Sequence, residues 1–256
     1  MLDDALITAS TATVTDRPPR EVVRPRDASA VGPPPRIRTL PGVYGPQTDS
    51  WLLAHELVRE PLTGRRVLDL CTGSGLLATT AARAGATDVV AVDVSRRAVL
   101  TARANLRRNG VRGTVVRGDL VDAVPPGDFD VVVANPPYVP SPDDAVPTRG
   151  AARAWDAGCD GRVVLDRICR TAPGRLAPGG RLLLVHSHVC GPDRTVELLE
   201  EQGLRAEVVA RRSLAFGPVM RRRAAFLRDA GLVAADAGQE ELVVVRAERV
   251  PGSRVR

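Results

Sequence analysis

Four consecutive residues, Asn135-Pro136-Pro137-Tyr138, combine an amide, two rings without N–H groups and a phenol. Their types suit one kind of chemistry. An amide or exocyclic amine is a poor nucleophile because its lone pair is delocalised. An Asn side-chain oxygen and a backbone carbonyl can accept its two N–H groups and aim the nitrogen at an electrophile. Proline fixes φ, so the loop is stiff and presents its carbonyl. Tyr138 can stack on a planar target. Asn135, Pro136 and Tyr138 are therefore the candidate catalytic residues. Alone, they could equally be a proline turn that ends a strand. The apolar run 129–134 ahead of them and a glycine loop upstream favour the chemical reading.

That upstream loop is Asp69-Leu70-Cys71-Thr72-Gly73-Ser74-Gly75. Glycines let a backbone approach a ligand where a side chain would block it. Asp93 ends the next apolar run, where a carboxylate can take both hydroxyls of a ribose. Gly73-x-Gly75-x-x-Ala78 also satisfies the relaxed dinucleotide fingerprint. Asp69 argues against that reading, because an acid ahead of the glycines would repel a pyrophosphate. S-adenosylmethionine carries an ammonium and a sulfonium and no phosphate, so it suits such a loop. Gly118-Asp119-Leu120 follows the third apolar run. Asp119 is placed to accept from an adenine amino group, with Leu120 beside the ring. The candidate cofactor residues are thus Asp69, Thr72, Gly73, Gly75, Asp93, Asp119, Leu120 and Asn135. The bland alternative is that the three acids cap helices or solvate loops.

These residues need a scaffold that brings strand ends together. Short Val/Leu runs at 67–70, 89–93, 114–117, 129–134 and 181–185 are bounded by Gly or Asp, as in strands buried on both faces. Helical periods fill 76–84, 96–109, 162–172 and 195–202 between them. Alternation of this kind predicts a doubly wound, mostly parallel α/β sheet of Rossmann-like type. A strand at 206–212, a helical stretch at 218–230 and a last strand at 241–247 follow. The last strand is expected to pair antiparallel with 206–212 at the C-terminal edge. Ahead of the sheet, Asp49 or Ser50 could cap a helix reaching about Arg59, with Trp51, Leu52, His55 and Leu57 partly buried. Residues 1–35, rich in Arg, Pro, Thr and Asp, read as a loosely attached arm. The domain proper is expected over 36–248, with a tail at 249–256.

Bulk properties add little. The 256 residues carry a net charge of +6, with all basic side chains arginine and none lysine. That bias reads as a GC-rich coding imprint before it reads as a nucleic-acid footprint. Arg221-Arg222-Arg223 reads as a solvated helix face. The four cysteines show no CxxC spacing and suit a reducing cytoplasm. His186-x-His188 lacks companion ligands, so no metal is expected. No apolar run is long enough for a membrane span, and no signal-peptide pattern opens the chain.

With these motifs in order, the chain from about Val43 to Val245 resembles the HemK-type protein-(glutamine-N5) methyltransferases, in their short form without an N-terminal helical domain. Asp69-x-x-Thr72-Gly73-Ser74-Gly75 and Asn135-Pro136-Pro137-Tyr138 resemble the family's two signatures. Val43-Tyr44-x-Pro46-x-x-Asp49-Ser50-x-Leu52-Leu53 resembles its entry segment beside the cofactor. Trp155-Asp156-Ala157-Gly158-Cys159-Asp160-Gly161-Arg162, Leu165-Asp166-Arg167 and Ala237-Gly238-Gln239-Glu240 resemble later segments. Gly45, Cys159 and an insertion over 214–230 depart from the family pattern. The resemblance implies S-adenosyl-L-methionine as cofactor and a peptide chain release factor as substrate, methylated on the glutamine amide of its Gly-Gly-Gln motif. Short-form relatives outside bacteria often need a small zinc-binding partner protein. Methylation of a nucleobase or a small molecule, and a non-catalytic cofactor-binding role, remain alternatives.

Overall fold

The computed structural model describes residues 33–125, 127–250 and 252. Apart from residues 33–35, the expected arm lies outside them.

Each expected strand and helix of the alternating stretch is present. The strands are β1 (Arg66–Leu70), β2 (Asp88–Asp93), β3 (Thr114–Arg117), β4 (Phe129–Ala134), β5 (Leu176–Ser187), β6 (Leu204–Ala215) and β7 (Gln239–Arg249). The helices are α1 (Thr48–Leu57), α2 (Leu76–Arg83), α3 (Arg96–Arg108), α4 (Val163–Thr171), α5 (Pro192–Glu201), α6 (Pro218–Arg222) and α7 (Ala224–Asp229). The seven strands form one sheet in the order β3-β2-β1-β4-β5-β7-β6. β1 to β5 run parallel. β7 runs antiparallel to both β5 and β6, lies between them and leaves β6 outermost. β7 ends at Arg249, one residue past the expected domain boundary at 248.

Successive residues of a strand face opposite sides, and here both sides are buried. Leu68, Leu70, Val132, Leu182 and Leu184 pack with Ile168 and Leu199 of α4 and α5. Val67, Val131, Val133, Leu183 and Val185 pack with Leu53, Leu57 and Leu77 of α1 and α2. This two-sided burial is why the strands read as unbroken apolar runs.

The chain leaves β1 towards β2 and β3, then returns to β4 on the other side of β1. Loops from neighbouring strands therefore part at the carboxyl ends of β1 and β4, the crevice where open α/β sheets bind ligands. Asp69 and Leu70 stand level with Val133 and Ala134, and Asp93 stands level with Arg117. The candidate residues that follow these strand ends share one edge of the sheet.

Two elements differ from expectation. α1 begins before Asp49, with Gln47 as its N-cap. Asp49 and Ser50 are buried inside the first turn, where Ser50 Oγ accepts from Gln47 N and so completes the cap from the third helical position, and Trp51 is exposed at 41%. The helical stretch at 218–230 is broken at Arg223 into α6 and α7. A strap holds the chain ahead of α1: the Asn105 and Asn109 side chains of α3 accept from the backbone N–H of Arg38 and Arg36 and donate to their carbonyls.

Gly75 explains the closeness of α2 and α3. It sits at φ +79°, and a Cβ there would lie 2.8 Å from Ala102 Cα. Gly75→Ala should cost roughly 2–4 kcal/mol, the sum of a left-handed alanine and an overpacked contact. Urea unfolding measures it, and a loss under about 0.5 kcal/mol would show that the helices do not need this contact.

Candidate functional site

The crevice opens into a cavity of about 870 Å³, a size typical of small-molecule sites. Its wall includes Thr72, Gly73, Asp93, Asp119, Leu120 and Asn135. Pro136 and Tyr138 also line it, as do Tyr44, Asp49 and Ser50 from the entry segment. The loop carrying Val146, Thr148 and Arg149, to which the sequence assigned no role, also lines it.

Asp93 is set by the glycine loop. Its Oδ2 accepts from Gly73 N (2.9 Å) and its Oδ1 from Ser95 N (2.8 Å). Burial raises its pKa, and those two amides and Arg153 pull it back down. A Cβ on Gly73 would meet nothing closer than Tyr44 O at 3.8 Å. The absent side chain therefore leaves open wall, as an approaching ligand needs. Asp119 reaches the wall with one oxygen engaged: Arg167 Nη2 donates to its Oδ2 at 2.8 Å, and both side chains are about half exposed. Cys71 (φ +57°) and Leu120 (φ +44°) hold left-handed backbone without being glycine. Strain of this kind concentrates at ligand sites, and both residues line the cavity.

Two of the expected cofactor residues do other jobs. Asp69 is fully buried behind the loop and is not part of the wall. Its Oδ2 accepts from Thr72 Oγ1 (2.5 Å) and from the N–H of Ala78 in the first turn of α2 (3.0 Å). It is thus the cap and brace of the glycine loop, the bland alternative for this acid. Its Oδ1 has no hydrogen-bond partner among the described residues. Gly75 also stands off the wall, and its missing side chain serves α3.

The largest surprise is Asp49. Its Oδ2 accepts from Tyr44 OH (2.9 Å), Tyr138 OH (3.1 Å) and Asn135 Nδ2 (3.1 Å). Its Oδ1 accepts from Ser50 N (2.6 Å) and Ser50 Oγ (3.0 Å). A carboxylate only accepts, so the group of Asn135 that faces it must be the NH₂. The second Asn135 N–H goes to Ser50 Oγ at 3.2 Å. With both donors committed, Oδ1 of Asn135 is the atom left to receive an N–H from outside. Burial, and then the Asp49 charge, push both phenols well above their ordinary pKa. They stay neutral donors. The sequence marked Asp49 as a possible helix cap and as part of the segment Val43-Tyr44-x-Pro46-x-x-Asp49-Ser50; nothing in its spacing from Asn135 revealed the contact.

Glu240 completes the acidic surroundings. Burial raises its pKa, Ser187 and His188 lower it, the Asp49 charge raises it further, and its own charge is felt by Tyr44 and Tyr138. The histidine pair splits into separate structural roles. His186 is buried in β5 with its pKa down to about 4, caused mainly by burial. His188 Nδ1 accepts from Glu241 N at 2.9 Å.

The stretch 155–162 braces the Asn-Pro-Pro-Tyr loop from behind. Val139 N donates to Trp155 O (2.7 Å), and Ala157 N donates to Val139 O (3.1 Å). Cys190 Sγ donates to Tyr138 O at 3.0 Å. A Cβ on Gly161 would lie 2.4 Å from Tyr138 O, so only glycine lets the two segments meet. Arg162 then ties the start of α4 to the Cys190 and Gly191 carbonyls and to Thr195 of α5.

The chain is similar to known methyltransferases. Residues 35–148 match the methyltransferase small domain. A putative protein N5-glutamine methyltransferase of Methanocaldococcus jannaschii is 34% identical over 185 residues, which cover 72% of this chain and 92% of that protein. The chain belongs to the HemK-type protein-glutamine methyltransferases. The release factor glutamine methyltransferase of Bordetella pertussis is 39% identical over 188 residues, 68% of this chain and 67% of that protein. Among solved structures, the E. cuniculi Mtq2–Trm112 complex, responsible for methylating the termination factor eRF1, aligns with a TM-score of 0.56 and 27% identity. That alignment covers 81% of this chain and 99% of the E. cuniculi chain. A methyltransferase of this family uses S-adenosylmethionine, and the Asp93 and Asp119 carboxylates and the open backbone at Gly73 are chemically suited to it.

The buried Asp69 gives a pH test. Burial raises its pKa from 3.8 to about 7, against the lowering by Thr72 and Ala78. The folded value lies above the unfolded one, so folding favours the protonated acid. The stability this contributes is whole below about pH 4 and is lost as pH rises towards about 7. Asp69→Asn should therefore gain on the parent protein between about pH 4 and 7, by on the order of a few kcal/mol, and keep a constant advantage above. Parallel stability–pH curves from urea unfolding would contradict it.

Proposed function

We propose that this methyltransferase acts on the side-chain amide of the glutamine in the Gly-Gly-Gln motif of a peptide chain release factor. The observation that carries the proposal is the fixed amide of Asn135, whose Nδ2 is held by Asp49 and Ser50. Its Oδ1 would accept one N–H of the incoming amide, and the Pro136 carbonyl the other. The names of the M. jannaschii and B. pertussis relatives support a glutamine substrate.

Asp93 would hold the ribose hydroxyls of the cofactor, Asp119 and Leu120 its adenine, and the bare backbone of Gly73 would allow close approach. Thr72 and Asp69 keep that loop in place. Bound there, S-adenosylmethionine supplies a methyl group made electrophilic by its sulfonium. The held amide nitrogen would accept that methyl as its bond to sulfur breaks, with S-adenosylhomocysteine as the leaving group and the amide proton passing to solvent. Asp49 has its acceptors occupied, so it orients Asn135 and does not act as the base. Positioning supplies the rate, because the leaving group is already activated. The reaction would take place in the cytoplasm, where release factors work. No described helix is long and apolar enough to cross a membrane.

Recombinant release factor incubated with the purified chain and cofactor should gain one methyl on its Gly-Gly-Gln tryptic peptide, read by mass spectrometry. An unmodified peptide, with or without an added small zinc-binding partner of the Trm112 kind, would sink the substrate assignment. Activity without that addition would show that none is needed. Asn135→Ala should lower kcat by on the order of 10²–10³-fold while cofactor Kd stays within a few-fold. Asp49→Asn sets an NH₂ or a weaker acceptor against Ser50 N–H and frees Asn135 to rotate. It should cost about 10- to 100-fold in kcat; parental turnover in this variant would remove the orienting role.

A further inference from the structure

We propose that Arg223, from the insertion over 214–230, is a positioning residue that clamps the Asn-Pro-Pro-Tyr loop in its working shape. This rests on the reading of that loop as the amide-holding site. Pro136, Pro137 and Pro140 have no N–H, so the loop can be held mainly through its carbonyls and a few amides. Cys190 takes the Tyr138 carbonyl, and Ala157 takes that of Val139. The next carbonyl, Pro140 O, accepts from Arg223 Nη1 at 2.9 Å. The same nitrogen lies 2.6 Å from Asp156 Oδ1.

Those two partners matter because Val139 and Asp156 form a parallel bridge between the loop and its bracing segment. Arg223 therefore fastens both sides of that bridge at once. The pair is largely enclosed, with side-chain exposures of 19% for Arg223 and 10% for Asp156. Removing one member of such a pair leaves a poorly solvated charge behind.

The insertion is built to deliver this one side chain. Phe216, Met220 and Leu227 bury themselves with Val189 in a separate apolar cluster, and Val139 of the loop packs against it. Arg223 lies at the break between α6 and α7, where its N–H meets the carbonyls of Val219 and Met220 and its own carbonyl accepts from Leu227 N. The break turns Arg223 inward. Its neighbour Arg222 stays exposed, and Arg221 donates to Phe216 O within the insertion. The run of three arginines is thus only in part the solvated face expected of it.

Three variants of the full-length chain test the clamp: Arg223→Met, Arg223→Lys and, as an exposed control, Arg222→Met. Amide hydrogen exchange is read at Val139 and Ser141 and at the β4 amides. Arg223→Met should speed exchange at Val139 and Ser141 by about tenfold and leave β4 unchanged. On methyl-accepting substrate it should lower kcat about tenfold, with KM for the cofactor within twofold. Lysine keeps the charge but not the planar fork, so Arg223→Lys should recover much of both losses. Arg222→Met should match the parent. Asp156→Asn, which removes the other end of the pair, should reproduce the Arg223→Met pattern if that variant folds poorly. Exchange at Val139 and Ser141 equal to the control, or a rise shared equally with β4, would overturn the clamp. Exchange needs no substrate. A parent protein inert on release factor would therefore reject the substrate reading, while exchange still decides the role of Arg223.

Discussion

The Asp49 carboxylate is the interaction on which the rest of the site depends. It gathers Tyr44, Ser50, Asn135 and Tyr138, which come from the entry segment and the loop after β4, two regions far apart in the chain. A buried carboxylate is tolerated only when its lone pairs are satisfied. That demand works in both directions here. Asp49 needs the donors, and by taking them it decides which face of the Asn135 amide looks into the cavity. The sheet places the loops at one edge, but the hydrogen-bond direction that makes one loop chemically selective is set by a residue on α1.

Most of the scaffold could be read from residue types. Strands buried on both faces announce themselves as Val and Leu runs, and β1 to β4 are found where those runs lie. The site was legible where side chains with few structural uses follow a strand end, as Asn135, Asp93 and Asp119 do. It was less legible where one residue type serves two ends. Asp69 has the composition of a cofactor ligand, yet its geometry is that of a helix cap supplied from outside the helix. Gly75 has the composition of a phosphate-loop glycine, yet its missing side chain makes room for Ala102. Motif spacing cannot separate these uses, because both need the same residue at the same place.

What sequence could not show was contact across long separations. Asp49 meets Asn135, and Arg223 meets Asp156 and Pro140, through tertiary packing that no local period encodes. The arginine run at 221–223 illustrates the limit. Three identical side chains in a row look equivalent, and only the break between α6 and α7 distinguishes the inward one from its neighbours.

The position of β7 carries a consequence for how the protein is made. Among the described strands β6 is hydrogen-bonded only to β7, and β7 follows the other six in sequence. During synthesis β6 emerges with no partner, and β5 keeps one edge open, until β7 slots between them. The same late segment delivers Glu240 to the neighbourhood of Asp49, and Arg246 to Glu60, 186 residues earlier. Long-range pairings of this kind close last. A nascent chain therefore holds the ends of β1 to β4 side by side before β7 has paired, and the surroundings of Asp49 are completed only when β7 brings Glu240 into place.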